Sequence, residues 1–196
     1  LKAGGSVSVA GSTDSSGISP SLIETMSLYA GEGDAGNVLI EAGNISFADD
    51  AFINTSTAGG GGGGEVMLKA GEDISFARDA YINSTTLTSG RGGDVTLSAE
   101  KNVLFSEGAV IYSQANANIT KDEFMTPPEA LSNEKGYAGN ILIEAGNISF
   151  ADDAAIYSLT NGNGRGGNVA LKAGGLPGLR FASPTPHERE PLTTAL

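Results

Sequence analysis

The sequence has no cysteine and no tryptophan, a single histidine, and only 11 lysines and arginines against 23 aspartates and glutamates. Without cysteine, neither a disulfide framework nor a thiolate metal site is available, and the absence fits either redox compartment. The formal charge of −12 argues against nucleic-acid binding, which neutralises phosphates with clustered Lys and Arg. It argues equally against a basic membrane-surface patch. No run of about 18 apolar residues exists, so no helical membrane insertion is expected. The lone His187 lies in an irregular tail, which excludes a His-based triad within the rest of the chain. No signal peptide is legible and the chain opens on Leu1, so a mature or excised segment is expected, with its targeting information elsewhere.

What the chain has in quantity is glycine (29 residues) and repetition. The segments NVLIEA at Asn37, EVMLKA at Glu65, DVTLSA at Asp94, NILIEA at Asn140 and NVALKA at Asn168 start 28, 29, 46 and 28 residues apart. The opening LKAGG is the tail of the same unit. A second segment, ISFA at Ile45, returns at Ile74, Val103 and Ile148, and a third, AFINTS at Ala51, returns at Ala80, Ala109 and Ala154. Period-2 alternation over four to six residues, with β-branched enrichment and glycine between, predicts three short strands per unit. The connectors ending at Gly64, Gly93 and Gly167 are glycine-rich, and glycine is expected there to supply positive φ at the corners.

Three short strands cannot bury an apolar face alone, but stacked copies can. Stacking places equivalent residues about 4.8 Å apart and makes columns: Leu1, Ile40, Leu68, Leu97, Ile143 and Leu171; Phe47, Phe76, Phe105 and Phe150; Ile53, Ile82, Ile111 and Ile156. The expected fold is therefore all-β, a parallel β-helix of about six coils of roughly 28 residues, right-handed by the general preference of parallel crossovers. Outward positions alternate in charge, as in Lys2, Glu41, Lys69, Ser98, Glu144, Lys172 and in Asp49, Arg78, Glu107, Asp152, which supports the register. The repeats occupy 1–174, interrupted by loop insertions at 11–21 and 115–135. A Pro-rich tail, 175–196, follows; it is free to cap the open coil, reach a neighbouring molecule or stay unordered, with Leu179 and Phe181 as its assembly residues.

The stretches GDAGNVLIEAGNISFADDAFINTST and GRGGDVTLSAEKNVLFSEGAVIYSQ resemble the repeats of filamentous-haemagglutinin-like exoproteins of two-partner secretion, particularly their cyanobacterial-type versions. The resemblance covers 1–174 and implies a right-handed β-helix exported across a bacterial outer membrane, with surface adhesion or matrix roles. Its motifs are specific for architecture and say little about a ligand.

The sites the residues suggest are few. Paired carboxylates Asp49–Asp50 and Asp152–Asp153 recur, and Asp50 stacked on Asp79 is a like-charge contact that Ca²⁺ could relieve, although Arg78 already supplies a cation and Gly108 takes the next position. Apart from that Ca²⁺ option no cofactor is expected. Catalysis by paired carboxylates, as in polysaccharide-degrading β-helices, needs two groups converging with separated pKa values, whereas these carboxylates recur as column positions. An outward stripe of Leu39, Met67 and Leu142, with Thr96 and Ala170, is a candidate lateral contact. The reading is a non-enzymatic, secreted structural or adhesive element of the bacterial cell surface. It either stacks head to tail or forms part of a longer stalk, with itself or surface glycans as partners.

Overall fold

In the computed structural model, residues 1–14, 17–27, 33–58, 60–87, 89–115, 136–160, 164–174 and 179–181 are described. The insertion beyond Ala115, with its Pro127–Pro128 pair and Asn118, and the tail beyond Phe181, with His187, lie outside them. Strands follow the repeat. The first coil holds β1 (Ser6–Ala10), β2 (Ser12–Asp14), β3 (Gly17–Ser19) and β4 (Leu22–Glu24). The second holds β5 (Val38–Ala42), β6 (Asn44–Ala48) and β7 (Phe52–Asn54), and the third β8 (Val66–Ala70), β9 (Asp73–Phe76) and β10 (Tyr81–Thr86). Next come β11 (Val95–Ala99), β12 (Asn102–Phe105) and β13 (Val110–Ala115), then β14 (Ile141–Ala145), β15 (Asn147–Phe150) and β16 (Ala155–Thr160). The last coil has β17 (Val169–Ala173) and β18 (Leu179–Phe181).

Successive coils pair in parallel to build three sheets, ordered β1-β6-β9-β12-β15-β18, β4-β7-β10-β13-β16 and β5-β8-β11-β14-β17. This is the parallel β-helix the repeat predicts, with three strands per coil. Every column read from the sequence is in register: Ile40 pairs with Leu68, Leu68 with Leu97, and Leu97 with Ile143. Phe47, Phe76, Phe105 and Phe150 stack with centroids 5.2, 5.4 and 4.9 Å apart and planes within 9°. The lumen is dry, because Ile40, Phe47, Ile53, Leu68, Phe76, Leu97, Phe105 and Ile111 are each at most 1% exposed. Leu1, in the same column, is an end residue and is 69% exposed.

Two features depart from the sequence reading, and the tail takes up one of the alternatives left open for it. The insertion at 11–21 contains an antiparallel hairpin, with Ser12 opposite Ser19 and Thr13 opposite Ile18, where no pairing was expected. The start of the tail rejoins the scaffold: β18 pairs with β15 so that Phe181 falls opposite Phe150 and continues the phenylalanine column, with Leu179 opposite Ile148. The backbone of the two assembly candidates is thus placed on their own chain, at the end of one sheet. The second departure concerns glycine. Among the described residues only Gly108 is a glycine with positive φ, so the corner glycines are not there for left-handed backbone.

They are there because the coils touch. A Cβ on Gly64 would fall on the carbonyl of Gly36, one on Gly93 on that of Gly64, one on Gly139 on that of Gly93, and one on Gly167 on that of Gly139. Hydroxyls seal this corner from inside. Thr55 and Ser84 donate to the Gly64 carbonyl at 2.8 and 2.7 Å, and Ser113 to that of Gly93 at 2.8 Å. Ser113 in turn accepts from the Gly139 N–H at 2.9 Å. The side chains are fully buried (Thr55, Ser84 and Ser113, each 0% exposed), so each hydroxyl needs such a partner.

Candidate functional site

Left-handed backbone occurs instead at the corner between the second and third segments of the second to fifth coils. Asp49 and Asp50 have φ of 56° and 58°, Arg78 and Asp79 of 49° and 60°, Glu107 and Gly108 of 51° and 75°, and Asp152 and Asp153 of 50° and 62°. Each pair forms a two-residue turn closed by a main-chain bond, such as Ala51 N–H to Ala48 C=O at 3.1 Å and Ala80 N–H to Ala77 C=O at 3.2 Å. Turns with two positive φ angles favour Gly, Asn and Asp, which tolerate the region best. Corners also bond to one another, Asp50 N–H to Arg78 C=O at 2.9 Å and Asp79 N–H to Glu107 C=O at 2.8 Å. The repeated double aspartate is therefore backbone chemistry first.

The side chains on this corner add charge pairing. Arg78 donates to Asp49 through both Nε and Nη2, the second bond at 3.0 Å, and lies 3.9 Å from Glu107. The hydrogen bond from Arg78 holds the Asp49 carboxyl below its ordinary range, and the same bond raises Arg78. Asp50 and Asp79 occupy equivalent positions one coil apart, and the Asp79 carboxylate lies against Gly108, where a Cβ would come within 2.6 Å of Oδ1. No group of three or more His, Cys, Asp or Glu gathers around them or elsewhere among the described residues. Ca²⁺ takes six to eight oxygens, of which Asp50 and Asp79 would supply two carboxylates.

The residues that open the second strand in the second to fifth coils, Asn44, Asp73, Asn102 and Asn147, form a column too. Asp73 N–H donates to Asn44 Oδ1 at 3.3 Å, Asn102 N–H to Asp73 Oδ1 at 3.1 Å, and Asn147 Nδ2 to Asn102 Oδ1 at 3.1 Å. The signal was available, since each is the residue that opens the second strand of its coil. The partners are the next coil's groups, which a single repeat does not reveal.

A shallow axial groove follows the bend between the first two segments. Two adjoining hollows of about 470 and 440 Å³, both bordered by Glu100, share a floor of small residues that includes Ala42, Ala70, Ala99 and Ala145. Their wall is the alternating charge column, with Lys2 bonded to Glu41 at 2.5 Å and Lys172 to Glu144 at 2.6 Å. These charges are satisfied by one another. The stripe Leu39, Met67 and Leu142 is in register on the outside of the same sheet, with Leu39 43% exposed.

The outward face of β4-β7-β10-β13-β16 differs from the other two. One column runs Leu22, Phe52, Tyr81, Val110, Ala155 and the next Glu24, Asn54, Asn83, Tyr112, Tyr157. Phe52 stacks on Tyr81 at 4.8 Å and Tyr112 on Tyr157 at 5.6 Å. Amides sit between: Asn54 Nδ2 reaches Glu24 at 2.9 Å, Asn83 Nδ2 reaches Asn54 Oδ1 at 3.3 Å, and Thr85 donates to Asn83 Oδ1 at 2.5 Å. Burial raises the Tyr81 and Tyr112 phenols, helped at Tyr81 by Asp50 and Glu24 and at Tyr112 by the neighbouring tyrosines. In the sequence these rings stand one to a repeat and alternate with the inward isoleucines, so their common face shows only once the coils are stacked.

Among the described residues, the last coils border a hollow of about 210 Å³ lined by Phe150, Ala154, Ala155, Ile156, Val169 and Leu171. Comparison with family models, with curated proteins and with solved structures gives no match.

Proposed function

We propose that this chain is a non-enzymatic, extracellular structural element of a bacterial cell surface, a rigid solenoid unit that extends by stacking head to tail. The observation that carries this reading is the agreement of its two end coils. At one end Leu1 to Ala3, β1 and β4 present outer edges, and at the other β16, β17 and β18 do. Followed through the registers, Leu171 belongs to the column of Leu1, Ala173 to that of Ala3, and Ile156 to that of Ile23. The positions of Leu179 and Phe181 continue those of Val7 and Val9. A second copy placed on the open end would continue the apolar columns and cover the hollow at the last coils, and open parallel edges favour strand addition.

One column opposes this. Lys172 would meet Lys2 of the next copy, a like-charge contact between exposed side chains that salt screens. Stacking should therefore strengthen as ionic strength rises. The resemblance of the repeats to filamentous-haemagglutinin-like exoproteins supports the extracellular, adhesive setting. In a longer stalk, neighbouring coils would continue the same columns, and the scaffold role stands without self-association.

Electron microscopy and sedimentation velocity of the purified chain, with and without EDTA and at low and high salt, test the proposal. Salt-promoted filaments that ignore EDTA are expected. Monomers at every concentration and salt level would remove the stacking mechanism, and filaments dissolved by EDTA would point to calcium, with the Asp50–Asp79 corner as its candidate place. Release of oligosaccharides from acidic glycans by the purified chain would overturn the non-enzymatic reading.

A further inference from the structure

We propose that the outward face of β4-β7-β10-β13-β16 is a binding strip for an extended neutral glycan. This does not depend on end-to-end stacking, since the face runs along the side of a single chain. Four of the chain's 12 phenylalanines and tyrosines lie on it as two stacked pairs. The Phe52–Tyr81 pair occupies one column and the Tyr112–Tyr157 pair the adjacent column two coils on. The four rings thus step diagonally over four successive coils, with about 14 Å of axial travel at roughly 4.8 Å per coil. The column shrinks from Tyr81 to Val110, and Tyr112 is followed on its other side by Asn83, so the rings are not covered by further rings on those sides.

The chemistry around the rings selects the ligand. Half-buried phenol and phenyl rings offer an apolar surface with a polar tip, which suits the C–H faces and hydroxyl rims of pyranoses. Asn54 and Asn83 place carboxamides, both donor and acceptor, beside the Phe52 and Tyr81 rungs and below Tyr112, and Glu24 adds an acceptor. Among the described residues of these two columns none is Lys, Arg or His, so a uronic, sulfated or phosphate-bearing polymer finds no counter-charge. A protein partner is less well served, because four rings interrupted by amides do not make the contiguous apolar patch such an interface buries. β7, β10 and β13 are main-chain bonded on both sides and the edge strands β4 and β16 on one, so the strip is pre-organised and little ordering opposes binding.

The test is titration of the purified chain with neutral hexasaccharides of glucose, mannose and N-acetylglucosamine, followed by isothermal calorimetry and by amide chemical shifts. Hexagalacturonate serves as the anionic comparison. Binding of at least one neutral hexamer is expected, insensitive to salt, with the largest shifts at Asn83, Tyr112 and Tyr157. Tyr112→Leu and Tyr157→Leu should each weaken it about tenfold. Tyr157 lies on the edge strand, so its variant leaves the coils beneath intact, and circular dichroism checks this. No binding of any neutral hexamer, tighter binding of hexagalacturonate, shifts confined to another face, or affinity unchanged in a folded Tyr81→Leu/Tyr112→Leu/Tyr157→Leu variant would each overturn the proposal. A chain that stays monomeric yet binds separates this strip from the stacking mechanism.

Discussion

Two glycines of the same scaffold should respond in opposite ways to alanine, because a Cβ would collide with the coil below at only one of them. A Cβ on Gly93 would overlap the Gly64 carbonyl oxygen and the Ser84 hydroxyl, and neither is the far end of a flexible side chain. Gly93 must therefore lift away from Gly64. That motion breaks or stretches the buried Ser84 bond to Gly64 and the Ser113 bond to Gly93, 2.7 and 2.8 Å long. Each buried group left without its partner costs about 1–3 kcal/mol, so Gly93→Ala should destabilise by about 4 kcal/mol. For a chain of this size that corresponds to a fall of roughly 8–16 °C in Tm. Gly71 has only the Gly43 Cα at 4.0 Å and no positive φ, so Gly71→Ala should be neutral or stabilising by about 0.5 kcal/mol through the unfolded chain. Urea unfolding followed by far-UV circular dichroism compares the two directly. Losses of equal size, or a Gly93→Ala loss below about 1 kcal/mol, would refute the argument that these corners need glycine for close approach.

Other outcomes follow from the same geometry. Phe105→Ala removes a buried ring stacked on both sides and should cost about 4 kcal/mol, whereas Leu104→Ala on the exposed side of the same strand should cost less than about 1, both read from urea midpoints. Asp153 has φ of 62°, so Asp153→Gly should change stability by less than about 1 kcal/mol, while the β-branched Asp153→Val should lose about 2 kcal/mol. Val169→Lys places a charge at the hollow of the last coils and should leave monomers at salt concentrations where the parent chain sediments as oligomers. Asp49, Glu41 and Glu72 are held below ordinary values of 3.8 and 4.5 by hydrogen bonds from Arg78, Lys2 and Lys101. With folded pKa values depressed, their contribution is present above the unfolded values and lost as pH falls through the folded ones. Urea midpoints should therefore drop below about pH 4, with a shallower drop in Arg78→Ala. A parallel drop in both chains would remove Arg78 as the cause.

Much of this molecule was legible because each coil repeats the same instruction. Inward Ile40, Phe47 and Ile53 and their equivalents follow from alternation and period, and a 28-residue repeat leaves one way to stack them. Charge alternation in the columns of Glu41 and Asp49 fixed the same register independently. The contacts between coils were less legible, because a repeat read one copy at a time does not show what its neighbour does. Asn44 is a turn residue by sequence and becomes an acceptor for Asp73 only when coils lie at β-sheet spacing. The hairpin in 11–21 and the pairing of β18 with β15 are single events with no second copy to average over.

The sequence by itself determined the solenoid, its coil length and its dry core, since hydrophobic burial along a fixed period admits no other arrangement for so short a strand set. Only the tertiary structure decided why glycine and aspartate stand where they do. Glycine fills corners where one carbonyl lies against the next coil, and Asp, Arg and Glu take the positive φ angles. Both follow from backbone meeting backbone between coils. The same stacking gathered Phe52, Tyr81, Tyr112 and Tyr157, four rings scattered along the chain, onto one outward face.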